Sequence, residues 1–356
     1  MKNSLRCRRF PLFLVLAALF LLAAASQSAQ AQDEPTIVKD TIRFMPFTNP
    51  CQSCPGSIWR WTPRVEFRVN GPIASGSQLY VEAMLPGSTK PWVTFDCRTE
   101  ETAKGRWWET GNCGGPDLPD AKGTLATGLV EFKIRMRNEL NGTNITLFTG
   151  KAKVGKVPSG LTGPYAKDFV FYADHDWNLP IGYIYLASGH GVPEGWPPRL
   201  YAVMWFRSSM GSAAISAHLF YQGKEVAKEE GCNNEDVETN QRSTYKWTRF
   251  TCEFRYVYGN RPERASKEAP IHELSKNPGE YEIKVLQKGH LARSVKFTVA
   301  EGGSFDNGIA TANKLGSDRV IVPVQIIGTQ DGPWDRTAWK TGAFYGNPLT
   351  GFTAIP

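Results

Sequence analysis

From Val130 to Met136 the chain alternates strictly. Val130, Phe132, Ile134 and Met136 fall on one side of an extended strand, and Glu131, Lys133 and Arg135 on the other. Shorter stretches with β-rich or alternating content lie at Ile42–Met45, Val65–Val69, Leu79–Ala83, Ile181–Leu186, Leu200–Phe206, Ala214–Tyr221, Phe250–Val257, Tyr281–Leu286 and Val295–Val299. Gln222-Gly223-Lys224 and Gln287-Lys288-Gly289-His290 read as turns between such runs. No apolar stripe of helical period reaches a useful length. The pattern predicts an all-β protein.

One segment breaks the pattern. Phe10 to Ala23 is almost wholly apolar, follows Lys2, Arg6, Arg8 and Arg9, and precedes Ala29-Gln30-Ala31. A basic flank, an apolar run and a small-residue site are the parts of a secretory signal peptide, here residues 1–31 with cleavage after Ala31. This predicts a secreted, periplasmic or cell-envelope protein. No later apolar run approaches the roughly 20 residues of a spanning helix. The leader also changes the charge. The whole chain of 356 residues carries +7; without the leader's four basic residues the balance falls to +3. That removes the basic excess which nucleic-acid binding draws on, so no nucleic acid partner is expected.

The chain also matches itself. At an offset of 135, Trp61-Thr62-Pro63-Arg64 falls on Trp196-Pro197-Pro198-Arg199, Gly76-Ser77 on Gly211-Ser212 and Cys97 on Cys232. With four residues more in the second copy, Trp108 and Cys113 match Trp247 and Cys252, and Glu131–Ile134 match Glu280–Ile283. Rare residue types recurring in order point to a tandem duplication. In an exported chain the cysteines are expected in disulfides. Cys7 leaves with the leader. The repeat pairs Cys97 with Cys113 and Cys232 with Cys252, and leaves Cys51 and Cys54 for each other or for another protein. Each repeat bond ties the arms of a long hairpin and contributes about 3 kcal/mol by loop closure.

The expected architecture is therefore two tandem duplicated β-sandwich domains with a C-terminal extension. Domain 1 spans 32–157, a Pro/Gly linker spans 158–164, and domain 2, the repeat, spans 165–303. The aromatic and Gly-rich extension, 304–356, has no counterpart after the first copy. Its Arg319–Ile327 reads as a strand in which Pro323 demands an edge or a bulge. This organisation resembles the tandem immunoglobulin-like or fibronectin-type modules of exported proteins. The resemblance is one of architecture and implies no particular site residues. It departs from true immunoglobulin domains in that Cys97 and Cys113 are close in sequence.

Candidate chemistry is sparse. No nucleophile elbow and no H-E-x-x-H is present, so no catalytic residue is assigned and no cofactor is expected. Asp174-His175-Asp176 is the densest group of metal-type ligands, but adjacent strand residues point to opposite faces, so a solvated loop is the simpler reading. Glu229-Glu230 and Glu235-Asp236 flank Cys232 and read as a polar loop, and Asp331–Asp335 has weak calcium-loop character. Trp61 and Trp108 recur and so serve the fold. Trp59 and Trp107 do not recur, and with Trp334 and Trp339 of the extension they are the candidate ligand-binding aromatics. The expected function is non-catalytic binding or structure, with an unknown protein or polysaccharide partner. The alternatives are carbohydrate binding or degradation, and an envelope hydrolase.

Overall fold

Val130, Phe132 and Ile134 are fully buried, and the charged residues between them occupy the other face of β8 (Gly128–Asn138). The computed structural model describes residues 35–353 except 52–58, 102–106, 112, 161, 164–165, 189–193, 208–213, 237–246, 266–269, 306–307 and 314–318. The expected leader, Cys54 and the side chain of Trp107 lie outside the described residues.

The protein is all-β with several sheets. The first comprises β1 (Thr36–Pro50), β2 (Trp59–Asn70), β6 (Trp107–Gly111) and β5 (Arg98–Glu101) in the order β1-β2-β6-β5, with β7 (Cys113–Gly114) also on β2. The second runs β10-β9-β8-β3-β4, where β3 is Ser77–Met84, β4 Val93–Asp96, β9 Thr143–Pro158 and β10 Phe169–Ala173. Between them Phe44, Trp61, Phe132 and Phe148 form one aromatic network at centroid distances of 5.3–6.3 Å. The Trp61 indole is fully buried and donates to Ala126 O at 2.9 Å, which satisfies its one polar atom.

The remaining strands form one ten-stranded sheet. Its strands are β11 (Ile181–Ala187), β12 (Arg199–Phe206), β13 (Ile215–Tyr221), β14 (Lys224–Glu230), β15 (Asn233–Asp236), β16 (Thr248–Tyr258), β17 (His272–Glu273), β18 (Gly279–Gln287), β19 (His290–Val299) and β20 (Val320–Ile326). Their order is β14-β13-β18-β19-β20-β11-β12-β16-β15, with β17 on β16. The sheet folds on itself, so that Leu200, Ala202, Met204 and Phe206 of β12 share a core with Ile215, Ala217 and Leu219 of β13. The expected turns are two-residue hairpins. Gln222-Gly223 and Lys288-Gly289 hold positive φ of 49° and 79°, and 50° and 80°, the type I′ geometry that suits twisted strands.

Both expected disulfides are formed, Cys97–Cys113 and Cys232–Cys252, with Cα atoms 4.3 and 4.4 Å apart. Cys97 lies at the crossing from β4 to β5, and Cys232 at the crossing from β14 to β15. Each bond thus closes a hairpin where the chain changes layers. Cys51 is also in a disulfide.

Three expectations need correction. The segment read as the start of domain 2 joins the second sheet, because β10 turns back and pairs antiparallel with β9, Phe169 opposite Pro158; the first two sheets are called the first unit below, and the ten-stranded sheet the second. The boundary at 303 also falls inside one sheet: β20 of the extension sits between β11 and β19. Pro323 is therefore at neither an edge nor a bulge. It stands where pairing switches, since residues 320–323 pair with β11 and 324–326 with β19, so its missing N–H is not needed.

Beyond β20 the chain returns to the first unit. Arg293 is fully buried, stacks 4.0 Å from the Phe206 centroid, and donates to Asp331 Oδ1 at 2.7 Å and to Trp205 O at 3.0 Å. Two short helices, α1 (Gly308–Ala312) and α2 (Ala338–Gly342), flank this return. Phe344 and Tyr345 then hold φ of 44° and 57°, at about 1–2 kcal/mol each for L residues. Their burial in the first core offsets this. The Tyr345 hydroxyl donates to Ile42 O at 2.8 Å and accepts from Phe44 N at 3.4 Å.

Candidate functional site

Two irregularities flank β2 at one level. On one side, β1 takes five residues from Val38 to Arg43 while β2 takes two from Arg68 to Glu66. Thr41 fills the break: its Oγ1 donates to Val38 O at 2.6 Å and accepts from Arg68 N at 2.8 Å. On the other side, Thr110 Oγ1 accepts from Phe67 N and donates to Phe67 O, both at 2.9 Å, in place of a ladder pair. Bulges re-aim side chains and open the strand surface. Here they produce a cleft of about 280 Å³ lined by Asp40, Arg43, Glu66, Arg68, Glu109, and from the other side Arg249 of β16 and Arg319 beside β20. Both units and the C-terminal segment thus contribute to one concavity.

Its charges are ordered. Arg319 donates to Asp40 Oδ2 at 2.5 Å, Arg64 pairs with Glu66 at 2.6 Å, and Arg68 pairs with Glu109. Every lining carboxylate therefore has an arginine partner, and the lining holds four arginines against three acids. Arg319 also lies 4.8 Å over the Tyr185 ring, which itself stacks on Tyr201 at 5.3 Å and 8°. Burial, and after it the Asp40 charge, drive the Tyr183 hydroxyl beneath this region well above its usual range.

Behind the cleft is a closed junction. His175 is wholly buried, edge-on to Trp247 (5.7 Å, 72°) and to Tyr345 (6.3 Å, 83°). Burial, with the nearby Arg43 charge, lowers its pKa to about 4. Asp176 Oδ1 accepts from Trp247 Nε1 at 2.9 Å, and its Oδ2 accepts from Asp335 N at 2.8 Å. Arg207 Nε stands 3.4 Å from Oδ1. Burial first, then Asp174, raise the Asp176 pKa.

The structure engages most of the residues picked from sequence in packing and ion pairs. Asp174-His175-Asp176 is not a solvated loop but the junction itself, and its side chains diverge. Asp174 Oδ2 meets Lys153 Nζ at 3.5 Å, Asp176 meets Trp247 and Asp335, and His175 lies among rings. Among the described residues no three metal-type ligands converge. Trp59 is half-buried on β2. Trp334 and Trp339 pack against the first core, Trp339 edge-on to Phe352 at 5.3 Å, with Arg336 over Trp334 and Lys340 over Trp339. The acidic stretch around Cys232 is not a loop. Glu229 and Glu230 are consecutive on β14, with Glu229 3.7 Å from Arg255 Nε and Glu230 2.5 Å from Lys228 Nζ. Asp331 is held by Arg293 and by Arg207 N at 2.8 Å, and Asp335 accepts from Thr337 N and Oγ1 at 2.9 and 2.8 Å.

Sequence reasoning missed the cleft. Its residues are scattered from Asp40 to Arg319, and a bulge with no Gly or Pro of its own creates it.

No protein-family model and no curated protein matches the chain. Among solved structures it is similar to a biofilm associated protein, BSP domain, at 9% identity, over 87% of this chain and 63% of that one, with a TM-score of 0.15. The chain thus spans less than two thirds of that structure, and so low a TM-score carries no argument about fold or function.

Proposed function

We propose that the protein is an exported, non-catalytic binding protein of two duplicated immunoglobulin-like sandwiches that take their ligand in the cleft between them. The observation that carries this reading is the lining of that cleft from both units and the C-terminal segment. Duplication is supported by strand order: β1-β2-β6-β5 opposite β9-β8-β3-β4 corresponds to β11-β12-β16-β15 opposite β19-β18-β13-β14. The disulfides occupy matching crossings, and each unit is completed by the strand after its last hairpin, β10 or β20. Export is supported by the disulfides and by the leader pattern at 1–31.

Non-catalytic binding is supported by the way the acidic candidates are engaged, in packing and in ion pairs. A thermal-shift screen of organic acids and of neutral and acidic oligosaccharides tests the reading. A ligand whose shift is lost in Arg249→Gln and kept in Lys224→Gln, an exposed position outside the cleft lining, supports it. A ligand insensitive to Arg249→Gln places binding elsewhere.

A further inference from the structure

By sequence Trp196 matches Trp61, but the two indoles stand in different surroundings. Trp61 lies inside β2 and is fully buried. Trp196 lies three residues ahead of β12 and is half-buried, its ring tilted against Tyr258 at 6.0 Å. It lines a groove of about 430 Å³ between the segment leading into β12 and the segment leaving β16. The groove stands at the Arg199–Tyr258 end of the β12–β16 ladder, whereas Arg249 of the cleft pairs with Trp205 at the other end. At about 3.3 Å per residue along the strand, the two ends are roughly 20 Å apart.

The frame of the groove is fixed. Arg199 Nε donates to Tyr258 Oη at 3.2 Å and Arg199 pairs with Glu253 at 2.5 Å, which holds the ring behind Trp196. Gly259 N donates to Pro198 O at 3.3 Å and joins the two segments. Ala265 N donates to Pro262 O at 3.0 Å and closes a turn with Glu263 and Arg264 at its exposed tip. Glu194, Arg261, Glu263 and Arg264 line the groove with the indole, and among the described residues none of these four side chains has an ion-pair or hydrogen-bond partner. Two cations and two carboxylates cancel, so neither an anion nor a cation is favoured. An aromatic surface beside unpaired donors and acceptors suits a neutral ring with an apolar face and a rim of hydroxyls. The volume falls within the roughly 300–1,000 Å³ of small-molecule sites.

We infer that this groove binds a neutral pyranose of a glycan, stacked on Trp196, with Arg261 and Arg264 donating to its hydroxyls and Glu194 and Glu263 accepting from them. The groove is separate from the interunit cleft and gives the protein a second binding site.

The test is a calorimetric titration of the full exported chain with cellohexaose, maltohexaose, mannohexaose and a proline decapeptide, at low and at high salt. Saturable binding of at least one hexasaccharide is expected, with little change on adding salt because no net charge is met. Trp196→Ala removes the stacking surface and is expected to weaken binding at least about tenfold. Glu263→Gln and Arg264→Gln, at the exposed turn, are each expected to weaken it about tenfold, and they carry the test if Trp196→Ala does not fold. Lys224→Gln, exposed and outside the groove, leaves it unchanged. No saturable binding of any hexasaccharide overturns the assignment, as does binding that ignores Trp196→Ala and both turn variants. Sugar binding lost in Arg249→Gln and kept in Trp196→Ala also overturns it, and places the sugar in the cleft. Decapeptide binding in place of sugar, lost in Trp196→Ala, overturns the ligand class. The thermal-shift screen decides the cleft reading separately.

Discussion

Trp247 donates its indole N–H to Asp176 Oδ1 at 2.9 Å, and both residues are buried. The bond joins the start of β16 to the segment between β10 and β11, so it crosses from one unit to the other. Trp247→Phe keeps the ring and removes the donor, leaving a buried carboxylate short of one hydrogen bond. The expected loss is about 1.5–3 kcal/mol, the range for hydrogen bonds to charged groups. Chemical denaturation of wild type and variant measures it. Asp176→Asn should cost less, because burial already disfavours the charged form.

His175 sets a pH dependence. Its pKa is lowered to about 4 in the folded chain from 6.5, so between those values the unfolded chain binds more protons. Stability is full above about pH 6.5 and falls as the pH drops to about 4, where the loss levels off at about 3 kcal/mol. Asp176, with its pKa raised, acts in the opposite direction over the lower part of this window. Denaturation midpoints of wild type and His175→Leu between pH 7 and pH 4 check this. The variant's midpoint should vary less steeply, and parallel curves would remove His175 as the cause.

The Arg293–Asp331 pair fixes the return of the chain. Both side chains are buried, at 0% and 3% exposure. Asp331→Ala leaves the Arg293 charge uncompensated and should cost about 3–5 kcal/mol. Arg293→Met combined with Asp331→Leu removes both charges and should cost less than Asp331→Ala alone. A thermal melt of the three chains orders them.

The sequence made the strands, the disulfides Cys97–Cys113 and Cys232–Cys252 and the hairpin turns legible, because each rests on local pattern or on rare residues in fixed order. The junction was signalled but not read. Leu200–Phe206 is apolar at every position, whereas a half-exposed strand alternates. Residues 200–206 are buried throughout because even positions face the second core, Val203 and Trp205 face the first core, and Tyr201 stacks on Tyr185. Asp174-His175-Asp176 looked like a loop because three polar residues in a row usually meet water, and nothing local announced Trp247, Asp335 and Tyr345 as partners. The role of Tyr345 depends on a core some 300 residues earlier and on a backbone conformation that aromatic residues rarely take.

The proposed function requires that the two units and the C-terminal segment form one body, with the ligand cleft at their shared boundary. Differential scanning calorimetry of the exported chain tests this directly. One transition is predicted, with calorimetric and van 't Hoff enthalpies equal, and Trp247→Phe should lower it without splitting it. Two separate transitions in the wild-type chain, with only one of them shifted by Trp247→Phe, would contradict the account.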